Sequence, residues 1–197
     1  MDKTRRLAFV SLVCNIAFSV YHLVLGILSY SWWMLTLGFY YLILSVVRFA
    51  VLRTKRAEHL ITKFTGWMLM VLTLPLIGTV ILSVVRDRGH KLHMIVMIAM
   101  AAYAFTKITL ATVSLIKSRH STSATLIALR NISFANAFVS IFALQRSMLV
   151  SFEGMNEAQI VMMNAILGSC VCVMVFLLGL NLLLPQKILF YKLNGKK

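Results

Sequence analysis

Six long apolar runs make up most of this chain, and each is long enough to cross a lipid bilayer as an α-helix, which takes about 20 residues. They cover 7–28, 32–52, 65–85, 94–116, 124–149 and 160–184. No carboxylate lies inside any of them. The five acids, Asp2, Glu58, Asp87, Glu153 and Glu157, all fall near the termini or between runs. The runs are continuously apolar, without the period-two alternation of barrel strands, so helices are expected and a β-barrel is not. A hydrophobic share of 60% against 13% charged residues excludes an ordinary soluble domain. The first run is too long for a cleaved signal peptide, lacks a small-residue cleavage site and turns straight into the second. Loops are short and no linker or low-complexity tract occurs. The expected architecture is therefore an all-α integral membrane protein, a single domain over 1–197 with six transmembrane helices.

The formal net charge is +15. In a soluble protein this would suggest nucleic acid as a partner; here topology accounts for it better. An internal N-terminus puts Lys3, Arg5, Arg6, Arg53, Lys55, Arg56, Lys63, Lys117, Arg119, Lys187, Lys192, Lys196 and Lys197 in the cytoplasm. Only Arg86, Arg88 and Lys91 then face out, a bias of thirteen to three. Both termini are accordingly expected in the cytoplasm and the protein in the plasma membrane. The basic inner rim should attract anionic lipid headgroups, at about 1 kcal/mol per residue near the surface. Nucleic acid is not an expected partner.

Four basic residues, Arg48, Lys107, Arg130 and Arg146, remain within the runs. The three arginines lie within a turn or two of a run's end and can snorkel to headgroups. Lys107 is deeper, near the middle of 94–116. A lysine there costs about 2.5–3.5 kcal/mol on insertion scales and by default marks a functional site. With no acid in any run, its ammonium needs water, backbone carbonyls, tyrosine hydroxyls or a bound anion.

Polar residues repeating at three or four along a membrane helix face the bundle. The first run carries Ser11, Asn15, Ser19, His22 and Gly26; the second Tyr41, Ser45 and Arg48; the fourth Tyr103, Lys107 and Ser114, with Thr106 beside them. The fifth carries Ser133, Asn136 and Ser140, with Arg130 a turn before. Such residues also serve simply to pack helices together. Four stripes with buried cations point instead to a hydrated pathway or ligand cavity. Its candidate residues are Lys107, Tyr103, Asn136, Ser140, His22, Asn15, Tyr41, Ser45, Arg48 and Arg130. The third and sixth runs, with Thr73, Asn164, Gly168 and Ser169, read as packing helices. Pro75, followed by Gly78 and Thr79, should kink the third. Trp32, Trp33 and Trp67 read as interfacial anchors.

Metal and catalytic signals are thin. His90, His93, Met94, Met97 and Met100 have soft-ligand spacing suited to Cu(I). Methionine is abundant here, twelve in all, and usually fills space. Cys170 and Cys172 are two apart and point to opposite sides of a helix, which suits packing and not chelation. There is no Gly-rich phosphate loop, paired carboxylate, His-Glu-x-x-His or nucleophile elbow. Neither an enzyme nor a cofactor is expected.

The tight first hairpin, Gly26-Ile27-Leu28-Ser29-Tyr30-Ser31, and the stretch from Ser123 through Asn136 to Ser140 carry a resemblance. Together with six spans and internal termini, they resemble the transmembrane half of the cation diffusion facilitator (zinc-exporter-like) family. The resemblance implies that scaffold and a tendency to form homodimers. Its metal-ligand positions hold other residues: Asn136 stands where the family has a metal-binding Asp, and Ile132 where it has the ligand four residues earlier. In the second run those positions fall near Leu37/Gly38 and Tyr41/Leu42. The family's cytoplasmic C-terminal domain has no counterpart. Divalent cations need carboxylate or imidazole ligands, so a degenerate metal exporter is the least favoured function. The leading expectation is a small transporter or channel-like protein with an electropositive interior and an anionic or acid-bearing solute. The alternative is a membrane subunit whose basic rim and lysine bind lipid or the acid of a partner helix.

Overall fold

The computed structural model describes residues 3–53, 58–85, 94–118, 123–151 and 156–184. Among them are six α-helices and no strand: α1 (Lys3–Leu28), α2 (Trp32–Arg53), α3 (Glu58–Val85), α4 (Met94–Ser118), α5 (Ala124–Ser151) and α6 (Glu157–Leu183). Five are long and apolar enough to cross a membrane; in α4 the qualifying apolar stretch is shorter, Met97–Val113. Helices outrun the apolar runs because backbone hydrogen bonding does not require apolar side chains. Thus α3 begins at Glu58 and not at Thr65. Helix α3 also continues through Pro75, with the Thr79 hydroxyl donating back to the Leu76 carbonyl at 2.6 Å.

The α1–α2 turn is closed by backbone bonds from Ser29 N to Leu25 O (2.8 Å) and Ser31 N to Gly26 O (3.0 Å). Tyr30 supplies the left-handed residue, with φ of 50°, a conformation that lets a helix end abruptly. Below it the two helices approach closely. A Cβ on Gly26 would stand 2.9 Å from Leu35 N, and one on Gly38 would stand 2.8 Å from Leu23 Cγ. Ser19 Oγ donates to the Gly38 carbonyl across this contact at 2.8 Å. Ser19 therefore serves the hairpin.

Helix α3 packs along α6, α4 packs along α5, and α2 and α5 meet each other and α3 in the middle. The buried core follows this plan, with Leu37, Tyr40, Tyr41 and Leu44 of α2, Leu69, Leu72 and Leu76 of α3, and Ile132, Val139 and Phe142 of α5. The outside is as apolar as the inside. Ile27, Leu28, Phe39, Leu74, Ile95, Phe105 and Ile166 are all exposed. In water such a surface would aggregate; it matches a hydrocarbon surround. These helices point to a membrane-embedded protein.

Several sequence expectations need correction. Arg48 and Arg146 do not snorkel: both are buried. Trp33 is buried too, whereas Trp32 and Trp67 are exposed. Trp33 packs against Arg146, whose guanidinium lies 4.6 Å from the indole centroid while Nη1 donates to the Ser83 carbonyl at 3.1 Å. The tryptophan shields a buried cation instead of anchoring an interface. Cys170 faces outward and Cys172 is half-buried, so only the latter packs. His90, His93 and most of the loop cations lie outside the described residues.

Candidate functional site

Helix α1 turns its whole polar stripe inward. Ser11, Asn15, Ser19, His22 and Gly26 are buried, while Val13, Ile16, Val20 and Val24 on the other side are exposed. This is the 3.6-residue periodicity made structural. The other helices meet this stripe in successive layers along its axis.

The first layer holds Arg48. Its guanidinium reaches from α2 to α1 and α5, Nη1 donating to Ser11 Oγ and Nη2 to Ser133 Oγ at 2.9 Å. Ser133 passes its own proton to the Leu129 carbonyl at 2.8 Å. Only 1% of Arg48 is exposed.

The second layer, about one helical turn up α1, centres on Asn15, which is 0% exposed. Its side-chain oxygen accepts from three donors on two helices: Lys107 Nζ and Tyr103 OH (2.9 Å) from α4, and Asn136 Nδ2 (2.8 Å) from α5. Lys107, 3% exposed, also lies over the Tyr103 ring at 4.9 Å from its centroid. A cation over an aromatic face gains about 0.5–2 kcal/mol. That offsets only part of what burying an unpaired ammonium costs.

The third layer is aromatic. Phe18 stacks on Tyr103 with centroids 3.5 Å apart and planes 6° from parallel, and meets His22 at 4.6 Å. His22 donates from Nδ1 to the Phe18 carbonyl at 3.1 Å. Tyr41 stands edge-on to Phe18, His22 and Tyr103. Its hydroxyl donates to Ser140 Oγ at 3.1 Å, since Ser140 gives its own proton to the Asn136 carbonyl at 2.8 Å.

Of the ten candidate residues, the structure brings Asn15, Tyr103, Lys107 and Asn136 into one cluster. Arg48 lies a turn below, Tyr41 and Ser140 about a turn above, and His22 about two turns along α1. Ser45 is buried but donates to the Tyr41 carbonyl of its own helix, at 2.8 Å. Arg130 is only partly buried and makes none of the cluster's hydrogen bonds. Sequence reasoning missed Phe18. Its signal was present, one turn from His22 on the inward face, but an apolar ring among apolar residues has no mark of its own.

The electrostatics are one-sided. Arg48 is close enough to Lys107 for the two charges to interact. No acid falls in the apolar runs, and Glu157 at the start of α6 is exposed. An amide oxygen has two lone pairs, yet three donors aim at that of Asn15. Three polar atoms of these layers find no partner among the described residues: Asn15 Nδ2, Asn136 Oδ1 and Arg48 Nε. Each such group, buried unmet, costs about 1–3 kcal/mol. The cluster has more donors than acceptors and more positive charge than negative.

Divalent cations suit this arrangement poorly. Ile132 and Leu37, at two of the positions where the resembled family binds metal, lie in the apolar core. Among the described residues no three His, Cys, Asp or Glu side chains come together at a distance that would hold a metal. Compared with models of known protein families, the chain matches none. No curated protein matches it either. The functional reading accordingly rests on these residues themselves.

Proposed function

We propose that this chain is a small six-span membrane transporter or channel-like protein whose electropositive interior takes an anionic or acid-bearing solute. Its topology in this reading has both termini cytoplasmic and its basic inner rim against anionic lipid. One observation carries the proposal: two cations, Arg48 and Lys107, are buried in adjacent layers of one bundle with hydroxyls, amides and aromatic rings around them. Buried like charges without counter-charge are destabilising, and an anion between them converts repulsion into attraction. The surrounding low dielectric strengthens that attraction relative to water.

The reading in which a partner helix supplies the acid has less support. Lys107 points to Asn15 of α1, inside the bundle, whereas Phe105 and Thr106 form the outer face of the same turn. A helix docking from outside would meet those residues and not the ammonium.

Reconstitution into liposomes tests the proposal. With a set potential, wild-type protein should pass small oxyanions in preference to potassium or sodium, and Lys107→Met should reduce that flux tenfold or more. Flux of cations only, or anion flux unchanged in folded Lys107→Met, would reject it.

A further inference from the structure

The unmet atoms of the cluster specify more than a sign of charge. An ammonium can only donate, so the Asn15 atom that faces Lys107 is the oxygen. Asn136 must then present nitrogen to that oxygen. The network thus fixes both amide orientations, which density or geometry alone rarely does. What remains is two donors, Asn15 Nδ2 and Arg48 Nε, and one acceptor, Asn136 Oδ1, each buried and without a partner among the described residues. Asn15 and Asn136 are at most 1% exposed. Their unmet atoms are the second arms of two amides whose first arms share the 2.8 Å bond, so the free donor and the free acceptor belong to one bonded pair and do not satisfy each other.

Donors with two cations call for the oxygens of an anion. A buried carbonyl oxygen in the same place calls for a hydroxyl on that anion. Halides have no hydrogen to give, and neither does sulfate at neutral pH; against Asn136 Oδ1 they would set lone pair against lone pair. Hydrogenphosphate has both parts: charged oxygens and a P–O–H that persists through neutral pH.

We propose that the Asn15, Arg48, Lys107 and Asn136 cluster recognises an oxyanion that carries its own hydroxyl, of the hydrogenphosphate type. Lys107, Arg48 Nε and Asn15 Nδ2 donate to its oxygens, and Asn136 Oδ1 accepts from its P–O–H. This rests on the anionic-solute reading above and names the solute's chemistry. Lys107 and Tyr103 reach Asn15 as long side chains across a seam where the α1 and α4 backbones do not pack closely. They can therefore transfer their donors from Asn15 to the ligand while the α4–α5 packing stays in place. A phosphomonoester offers the same chemistry in its monoanion, losing the needed proton above about pH 6; its source would be a lipid headgroup.

The test is calorimetric titration of the full-length protein, in detergent at pH 7, with inorganic phosphate and with sulfate. Phosphate should bind at least tenfold more tightly than sulfate. Asn136→Leu, which removes the acceptor and keeps the volume, should bring the two within twofold by weakening phosphate alone. Lys107→Met should weaken both. The phosphate-against-sulfate comparison uses wild-type protein, so it decides the matter even where Asn136→Leu does not fold. Equal affinities that both fall in Lys107→Met would overturn the hydroxyl inference and leave the anionic reading standing. No binding of either anion would remove both. Where phosphate binds preferentially, competition below about pH 6 by phosphatidic acid but not by phosphatidylglycerol assigns the site to a lipid phosphomonoester. Lack of competition assigns it to the free ion.

Discussion

Gly66 and Gly179 face each other across the α3–α6 contact: a Cβ on Gly66 would stand 2.9 Å from the Gly179 carbonyl oxygen, and one on Gly179 would stand 3.0 Å from that of Gly66. Two backbones meet here with nothing between them. In a bilayer, where lipid tails are as apolar as any side chain, such close approach is a main source of helix association.

Adding a methyl at either glycine must push backbone away from backbone, since each Cβ would press on the other glycine's carbonyl oxygen. Gly66→Ala or Gly179→Ala should lower stability by about 1–3 kcal/mol, the usual range for overpacking. Gly78 provides the contrast, because a Cβ there meets nothing within 4 Å. Gly78→Ala should be neutral or stabilising by up to about 1 kcal/mol, through helix propensity. Unfolding of the three variants in mixed micelles checks the order; equal effects would contradict it.

Lys107→Met should fold and should be more stable than wild type by about 1–3 kcal/mol. The change removes an uncompensated buried cation and leaves Asn15 Oδ1 with its Tyr103 and Asn136 donors. No new unmet group is created. Lys107→Arg keeps the charge but brings a planar fork in place of a compact ammonium, so its stability should stay near or below wild type. A Lys107→Met protein less stable than Lys107→Arg would show that the ammonium is structurally satisfied.

The neighbouring tryptophans should behave differently. Trp33 is 3% exposed and lies beside the Arg146 guanidinium, while Trp32 is 68% exposed. Trp33→Leu loses buried volume and the cation–π contact and should cost about 2–4 kcal/mol. Trp32→Leu should stay within about 0.5 kcal/mol in detergent. The same unfolding measurement compares them, and a larger cost at Trp32 would refute the burial argument.

Single cysteines at positions 30 and 154, introduced after Cys14, Cys170 and Cys172 are replaced, should react with an impermeant thiol reagent added outside intact cells. That outcome follows from the basic bias of the intervening segments. Labelling at either position only from the cytoplasmic side would reverse the topology.

The helices and most of the inward stripe were legible in the sequence for one reason: in apolar runs, Asn15, Tyr103, Lys107 and Asn136 stand out by type and spacing. The burial of Arg146 was not legible, and that of Arg48 only in part, through its place on the Tyr41–Ser45–Arg48 stripe. Distance from a run's end suggests that an arginine can reach headgroups, but Ser11, Ser133 and the Ser83 carbonyl offer it nearer partners on helices whose proximity no local pattern encodes. The Gly66–Gly179 contact was hidden similarly. A glycine reveals that something comes close, and only the fold reveals what.

The length of chain between bonded partners sets an order on how this bundle is made. Asn15 is separated by 92 residues from Lys107 and by 121 from Asn136. The α1–α2 turn, by contrast, closes within a few residues of itself and so can form first. Chains generally fold from the N-terminus as they are synthesised. The amide of Asn15 therefore enters the bilayer before its donors exist, and stays a lone polar group until α4 and α5 arrive. Their capture of it is a late, long-range step, and a chain stalled short of Tyr103 and Lys107 would hold that amide at its least satisfied.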